Sequence, residues 1–354
     1  MSIPATLVMG LDIGGTSTRA LVVDMDGNRV GMGRGPGANL TSHALDSALA
    51  GIAQALRNAL ERVDDPGAVR HAVVGTAGMA NLAVPEVAEA FARTWRNAGL
   101  ECGYDVVGDV SVAFTAGTAE PAGTLLLSGT GASAIRFDNR NPSHAVDGHG
   151  WLLGDLGSGF WLGREAVRAT LAALDRREEP GPLGQDVLRA LLGPESHGEP
   201  SADINGDADR KAEVGGQHDL RSELIMAVHQ RPPVALSELA PLVTAAVADD
   251  PEAKRIVTEA AEHLMAAVTT VRAPGDGTPL VLAGSLLAAA TPVRDLVEPR
   301  LRELWPDPPI IVARDAVGGA AWLAAGRLIG LDTADGAKLH ARLMHSAGGD
   351  DVDR

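Results

Sequence analysis

Apolar residues fall along this chain in two rhythms. Thr6–Ile13 (TLVMGLDI) and Thr18–Asp24 (TRALVVD) are short, nearly continuous apolar runs rich in Leu and Val, the pattern of strands covered on both faces. Between them stand Gly14 and Gly15. Glycine inside a strand weakens it, so the pair predicts a tight turn. The Asp-Gly of Met25–Arg29 predicts a second turn, into a third strand at Arg29–Arg34 and a loop, GPGANLTSH. The period then changes. Leu45, Leu49, Ile52, Leu56, Leu60 and Val63 recur at helical spacing and predict a helix over Ala44–Val63, with Ser42 as its N-cap. HAVVGTAGM reads as a strand. Pro85–Ala98 reads as a helix with proline in its first turn, where the missing N–H costs nothing. YDVVGDVSVAF reads as a strand that ends at Asp109 and passes into a helix.

A second, similar run opens at Gly123, where GTLLLSGTGASAIRFD predicts two strands joined by a Gly-Thr-Gly turn. LDIGGTSTRALVV and LLLSGTGASAIRF share one plan: apolar strand, small-residue turn with Thr, apolar strand. This argues for internal duplication of a nucleotide-binding unit. Ser196–His218 is polar and rich in Gly and Asp, and reads as a surface insertion. Helices follow from about Leu220 to Val271, then a strand, PLVLAGSL, and a closing helix in VARDAVGGAAWLAAGRLIG. The expected organisation is a first unit over 1–115, a second over 116–315 with the 196–218 insertion, a helix at about 316–330 packing back on the first unit, and a charged, loosely ordered tail over 331–354.

Composition narrows the function classes. A chain of 354 residues that is 45% hydrophobic can build a sizeable core, and no apolar run reaches the ~20 residues of a membrane span. The start, MSIPATLVMGLDIGG, lacks a basic region and a small-residue cleavage site and reads as a first strand, so a cytoplasmic enzyme is expected. A net charge of −16 argues against nucleic acid, whose phosphates need basic partners, and suits a cationic or neutral small substrate. A single cysteine, Cys102, excludes a disulfide framework or an iron–sulfur site made by one chain.

Backbone amides of a glycine turn can cradle an anion. Gly14 and Gly15, with the Thr16 hydroxyl, are therefore candidates for phosphate. Asp12, at the end of an apolar strand, is placed to hold Mg²⁺ through water. Ser128, Gly129, Thr130 and Gly131 repeat the logic for a second phosphate, and the two turns can close on one polyphosphate. Gly284 and Ser285, after a third apolar strand, would let a base or ribose lie flat on the backbone. Asp109 stands where open α/β sheets put ligands and can accept the proton of an attacking hydroxyl. Its plainer role is helix capping. In DGHGWLLGDLGSGFWLG, Asp155 is a candidate acceptor for sugar hydroxyls or an amine. Trp151 could form a sugar platform, although core packing is the commoner role.

DIGGTSTRA, VVGDVSVAF, LLLSGTGASA, GHGWLLGDLGSGFWLG, VLAGSLL and AVGGAAWLAAG occur in order, over roughly residues 7–330, and together resemble the BadF/BadG/BcrA/BcrD-type ATPase family. Within it the chain is most similar to N-acetylglucosamine kinases and actinobacterial glucosamine kinases. The resemblance implies an α/β fold of duplicated actin-like (ribonuclease H-like) ATPase domains, as in sugar kinases, heat-shock chaperones and actin, with ATP deep in the cleft. It implies phosphate binding by Gly14, Gly15, Thr16, Thr130 and Gly131, Mg²⁺ positioning by Asp12, and Asp109 as the base acting on the sugar 6-hydroxyl. It further implies sugar contacts from Asn39, Gly150 and Asp155, an adenosine motif at Gly284 and Ser285, and an interdomain connection at Gly318 and Gly319. A homodimer is compatible with it. Relatives commonly read GDEGS where this chain reads GDLGS, so Leu156 replaces an acid.

The expected activity is ATP-dependent phosphorylation of glucosamine to its 6-phosphate, with N-acetylglucosamine as the alternative. Glucosamine is preferred because the protein is acidic and the amine cationic, and because Asp155 could meet that amine. Two other classes fit less well. A dehydratase-activating ATPase bridges a cluster with paired cysteines, which Cys102 alone cannot supply. A sugar-sensing regulator would be expected to carry a helix-turn-helix ahead of the strand at Thr6, and intact Asp12 and Asp109 argue for activity.

Overall fold

The computed structural model describes residues 6–40, 43–193 and 220–346. The Ser196–His218 insertion and the proposed Ser42 cap lie outside these residues. Two five-stranded sheets organise the chain. The first holds β1 (Leu7–Ile13), β2 (Ser17–Asp24), β3 (Arg29–Pro36), β4 (Val69–Thr76) and β5 (Tyr104–Val107) in the order β3-β2-β1-β4-β5. The second holds β6 (Gly123–Ser128), β7 (Ala132–Asp138), β8 (Asn141–Asp147), β9 (Leu280–Ala283) and β10 (Ile310–Val312) in the order β10-β9-β6-β7-β8. The two orders are the same topology. A central strand pairs antiparallel with a meander on one side and parallel with two crossover strands on the other. The duplication read from the two hairpins therefore extends to the whole sheets. β8 was not anticipated, because NPSHAVD at a sheet edge is polar and largely exposed and gives no apolar rhythm.

The first half carries α1 (Leu45–Leu60), α2 (Met79–Leu82), α3 (Pro85–Asn97) and α4 (Asp109–Gly117). α1 begins at Leu45 after Ala44, with no side-chain cap. It buries Ile52, Ala55, Leu56 and Ala59 against Met9, Leu11, Ala20 and Val22. The second half carries α5 (Gly159–Asp175), α6 (Pro182–Leu192), α7 (220–229), α8 (Ala240–Ala245), α9 (Pro251–Val271), α10 (Ser285–Ala288) and α11 (Pro292–Leu304), which share one core with β6 and β9. Last come α12 (Ala316–Ile329) and α13 (Ala334–Ser346).

The last helix of each half covers the other half's sheet. α4 follows β5, yet its Phe114 stacks on Phe137 of β7 at 4.2 Å and shares a core with Leu125 and Val281. α12 follows β10, yet Val317, Ala320 and Ala321 pack on Val8, Leu21 and Val73 of the first sheet. The two helices cross where a Cβ on Gly319 would lie 2.5 Å from the Val112 carbonyl oxygen, so only glycine allows this approach.

The expected loose tail is instead ordered through Ser346. α13 buries Leu339 and Leu343 against α12, and the Trp322 indole N–H donates to the Gly336 carbonyl at 2.8 Å. The apolar positions of α13 are too few among charged neighbours to be distinguished from a solvated tail by pattern alone.

Candidate active site

Parallel pairing sets the site. Because β1, β4 and β5 run the same way, their C-terminal ends lie at one edge of the first sheet. The turn after Ile13, the Thr76–Gly78 segment and Asp109 therefore share that edge. β6, β9 and β10 gather Ser128–Gly131, Gly284–Ser285 and Asp315 at the matching edge of the second sheet.

The first turn is closed by the Gly14 amide donating to the Ser17 carbonyl at 3.0 Å. The Ala38 and Asn39 amides donate to the Gly14 carbonyl at 3.1 and 3.2 Å, and the Thr18 hydroxyl donates to the Pro36 carbonyl at 2.9 Å. These bonds hold the GPGAN loop against the turn and bring the Asn39 side-chain oxygen beside Gly78. Gly15 and Thr16 stay exposed, and a Cβ on Gly15 would meet nothing within 4 Å.

Asp12 sits just below this turn, half-buried, opposite Arg19 in the ladder. Burial, then the nearby Asp109 charge, and then Asp315 push its pKa up to about 6, with Arg19 opposing. Asp12 thus feels the charge of one carboxylate from each half of the chain, Asp109 and Asp315. Asp109 is the first residue of α4, after Gly108, and its Oδ1 accepts from the Val110 amide at 2.9 Å. It does not cap the helix through the N-cap position. Burial raises its pKa, and the amides of Val110 and Asp109 oppose the rise. Among the described residues, no three His, Cys, Asp or Glu side chains form a protein-only metal cage. A half-buried carboxylate at a sheet edge below an open glycine turn is what a cation completed by water and phosphate oxygens would fit.

The second turn is built by packing rather than charge. The Gly129 amide donates to the Gly131 carbonyl at 2.9 Å. The Gly159 and Phe160 amides at the start of α5 donate to the Gly129 and Thr130 carbonyls at 2.7 and 3.3 Å. The Ser128 hydroxyl is committed to the Gly157 carbonyl at 2.9 Å. Gly284, at φ +84°, lies so near that a Cβ would fall 2.3 Å from the Ser128 carbonyl carbon. Gly284 and Ser285 thus touch the backbone of the second turn directly.

The 147–157 loop departs most from expectation. Asp155, at φ +58°, directs Oδ1 to the Ala132 amide at 3.2 Å, against Gly131 of the second turn. Burial raises its pKa, with Asp147 adding to the rise and the Ala132 amide and His149 opposing it. Asp147, which the sequence did not single out, ties the loop by accepting from the Asp155 and Leu156 amides at 2.7 and 2.8 Å. Gly150, at φ +82°, is a turn residue whose carbonyl accepts from Leu153 and Gly154. Trp151 is exposed rather than in the core, and Leu152 and Leu153 are 72% and 78% exposed. Gly318 sits in the first turn of α12, where its amide donates to the Asp315 carboxylate at 3.2 Å. Asp315 itself pairs with Arg29. A carboxylate three residues before a glycine at a helix start was the available signal for Asp315.

The model of the BadF/BadG/BcrA/BcrD ATPase family matches residues 9–324. An N-acetyl-D-glucosamine kinase from Dictyostelium discoideum is 28% identical over 194 residues, 52% of this chain. An N-acetylmuramic acid/N-acetylglucosamine kinase from Clostridium acetobutylicum is 26% identical over 186 residues, again 52% of this chain. Each match spans 60% of the relative's own length. A solved structure from Chromobacterium violaceum, described as that of a proposed N-acetylglucosamine kinase, superposes with a TM-score of 0.69 at 23% identity, covering 91% of this chain and 99% of that one. The duplicated sheets are the actin-like fold.

Proposed function

This chain belongs to the BadF/BadG/BcrA/BcrD ATPase family, and from that premise we propose that it is an ATP-dependent kinase acting on the 6-hydroxyl of an amino sugar. One observation carries the reading: the C-terminal edge of β1, β4 and β5 brings Asp12 and Asp109 to the same side of the sheet as the open Gly14–Thr16 turn. Residues 1–115 and 116–315 are the two lobes of this reading, with 316–330 returned to the first.

In this assignment Gly14, Gly15, Thr16 and the Thr130 and Gly131 amides bind the phosphates, and Gly284 and Ser285 receive the adenosine. Asp12 would hold Mg²⁺, which offsets phosphate charge when bound. Asn39 binds the sugar. Asp109 accepts the proton as the 6-oxygen forms its bond to the terminal phosphorus and the bond to the ADP oxygen breaks. A carboxylate whose proton affinity is raised by burial is a better base than a solvated one.

N-acetylglucosamine is the substrate better supported, over the glucosamine expected from sequence. Both curated relatives bear that activity in their names. Asp155 has one oxygen engaged with Ala132, and its neighbours Leu152, Leu153 and Leu156 offer apolar rather than charged surface. Coupled ADP release with Mg·ATP on glucosamine, N-acetylglucosamine, glucose and N-acetylmannosamine at matched concentrations tests both readings. Faster turnover of N-acetylglucosamine upholds the first. Turnover of glucosamine alone, lost in Asp155→Asn, would reverse the order. No turnover on any of the four sugars would remove the proposal.

A further inference from the structure

One cavity lies apart from the two glycine turns and shares with the site described above only Asp315 and the Arg19 that faces Asp12. A groove of about 930 Å³ opens along β3 at the edge of the first sheet, between α1 and the segment entering α12. Neither Asn39 nor Asp109 lines it, and no residue of the second turn does. Its walls carry five guanidinium groups, from Arg19, Arg29, Arg34, Arg62 and Arg314. Only Glu61 and Asp315 supply carboxylates there, and Asp315 is already paired with Arg29. Among the described residues, Arg19, Arg34, Arg62 and Arg314 enter no ion pair. With Arg19 facing Asp12, Arg29 paired with Asp315 and Glu61 on the wall, the groove is still lined by an excess of arginine in a chain whose net charge is −16.

Such concentration is costly without a partner. Arginines at close quarters repel one another, and the acidic chain offers many carboxylates that could have neutralised them. The cations are all arginine, with no lysine among them. The planar fork of arginine matches two oxygens of one phosphate or carboxylate, whereas lysine offers a point charge. The volume is that of a small-molecule site rather than a macromolecular surface. β3 is an edge strand, so its outer amides add donors, while the Asn58 amide already covers the Arg34 carbonyl at 2.9 Å.

We propose that this groove is a second ligand site, for a small phosphate-bearing anion of two or three negative charges. The ligand chemistry is that of a phosphomonoester or a pyrophosphate. Arg29 is held by Asp315 and by the Leu343 carbonyl at 3.3 Å, which fixes one wall. Arg34, Arg62 and Arg314 are exposed and free to close on the anion.

Calorimetric titration of the full chain with glycerol 3-phosphate and with inorganic pyrophosphate tests this, and the tighter of the two identifies the source. The combined Arg34→Gln, Arg62→Gln, Arg314→Gln variant is expected to weaken binding by at least about tenfold, since hydrogen bonds to charged groups are the strong ones. These positions are exposed and outside the candidate active site, so sugar turnover should persist. A Thr16→Val, Thr130→Val variant is expected to leave binding in the groove intact. Binding lost in the threonine variant but kept in the arginine variant would overturn the proposal, as would the absence of binding by either probe at millimolar concentration.

Discussion

The two glycine turns descend from one hairpin plan and have been finished in opposite ways. The 14–17 turn is open, with Gly15 and Thr16 exposed above Asp12, whose pKa is raised by burial and by the charge of Asp109. The 128–131 turn is packed from three sides, by α5, Gly284 and Asp155. The first edge holds Asp12 and Asp109, and the second holds Asp315 among closely packed backbone. The two copies of one plan are thus finished differently, one left open and one closed by packing. The same contrast separates Asp109 from Asp155. Asp109 bonds backbone at its own helix start, whereas Asp155 reaches from the loop after β8 to the first residue of β7.

The sharpest way to break this comparison is at Asp109. Asp109→Asn is expected to lower kcat by about 10²–10⁴ while sugar affinity, read by calorimetry, stays near wild type. A variant with near-normal turnover would show that charge at the first edge is not catalytic.

Gly284→Ala comes next. Its positive φ and the 2.3 Å approach to Ser128 predict a loss of several kcal/mol or a displaced second turn, seen as a lower denaturation midpoint and a raised KM for ATP. Gly15→Ala should change stability by less than about 0.5 kcal/mol, because the added methyl meets open space. Equal costs at the two positions would erase the distinction between the turns.

Asp12→Asn should separate function from stability. Its carboxyl is held up to about 6, above the ordinary 3.8, so the folded state binds the proton more tightly than the unfolded chain does. Stability is therefore lost as pH rises from about 4 through 6, and the neutral amide avoids that loss. Chemical denaturation of the ligand-free protein at pH 7.5 should show Asp12→Asn more stable by up to about 3 kcal/mol, an advantage that fades toward pH 4. Its Mg²⁺-dependent turnover should nonetheless fall. Asp147→Asn, at about 1 kcal/mol, would loosen the loop carrying Asp155 and move sugar KM more than kcat.

Much of this was legible in the residues. The apolar strands interrupted by DIGGT and SGTGA announced two like hairpins, because a strand tolerates glycine pairs only where it turns. The 3.6-residue rhythm announced α1, and the position of Asp109 after YDVV announced a carboxylate at a sheet edge. These are local facts of periodicity and steric allowance, and a sequence states them directly. What it could not state are relations between distant segments. β8 was hidden because an edge strand needs no apolar face. The order in α13 was hidden because only Trp322 and its neighbours give Leu339 and Leu343 something to bury against. The exchange of α4 and α12 between sheets, the turning of Asp155 onto Ala132, and the gathering of five arginines from β2, β3, the turn after α1 and the α12 approach into one groove all depend on where the backbone carries each residue. Packing and Coulomb energy depend on distance in space. Separation along the chain does not fix that distance, so only the tertiary structure decided them.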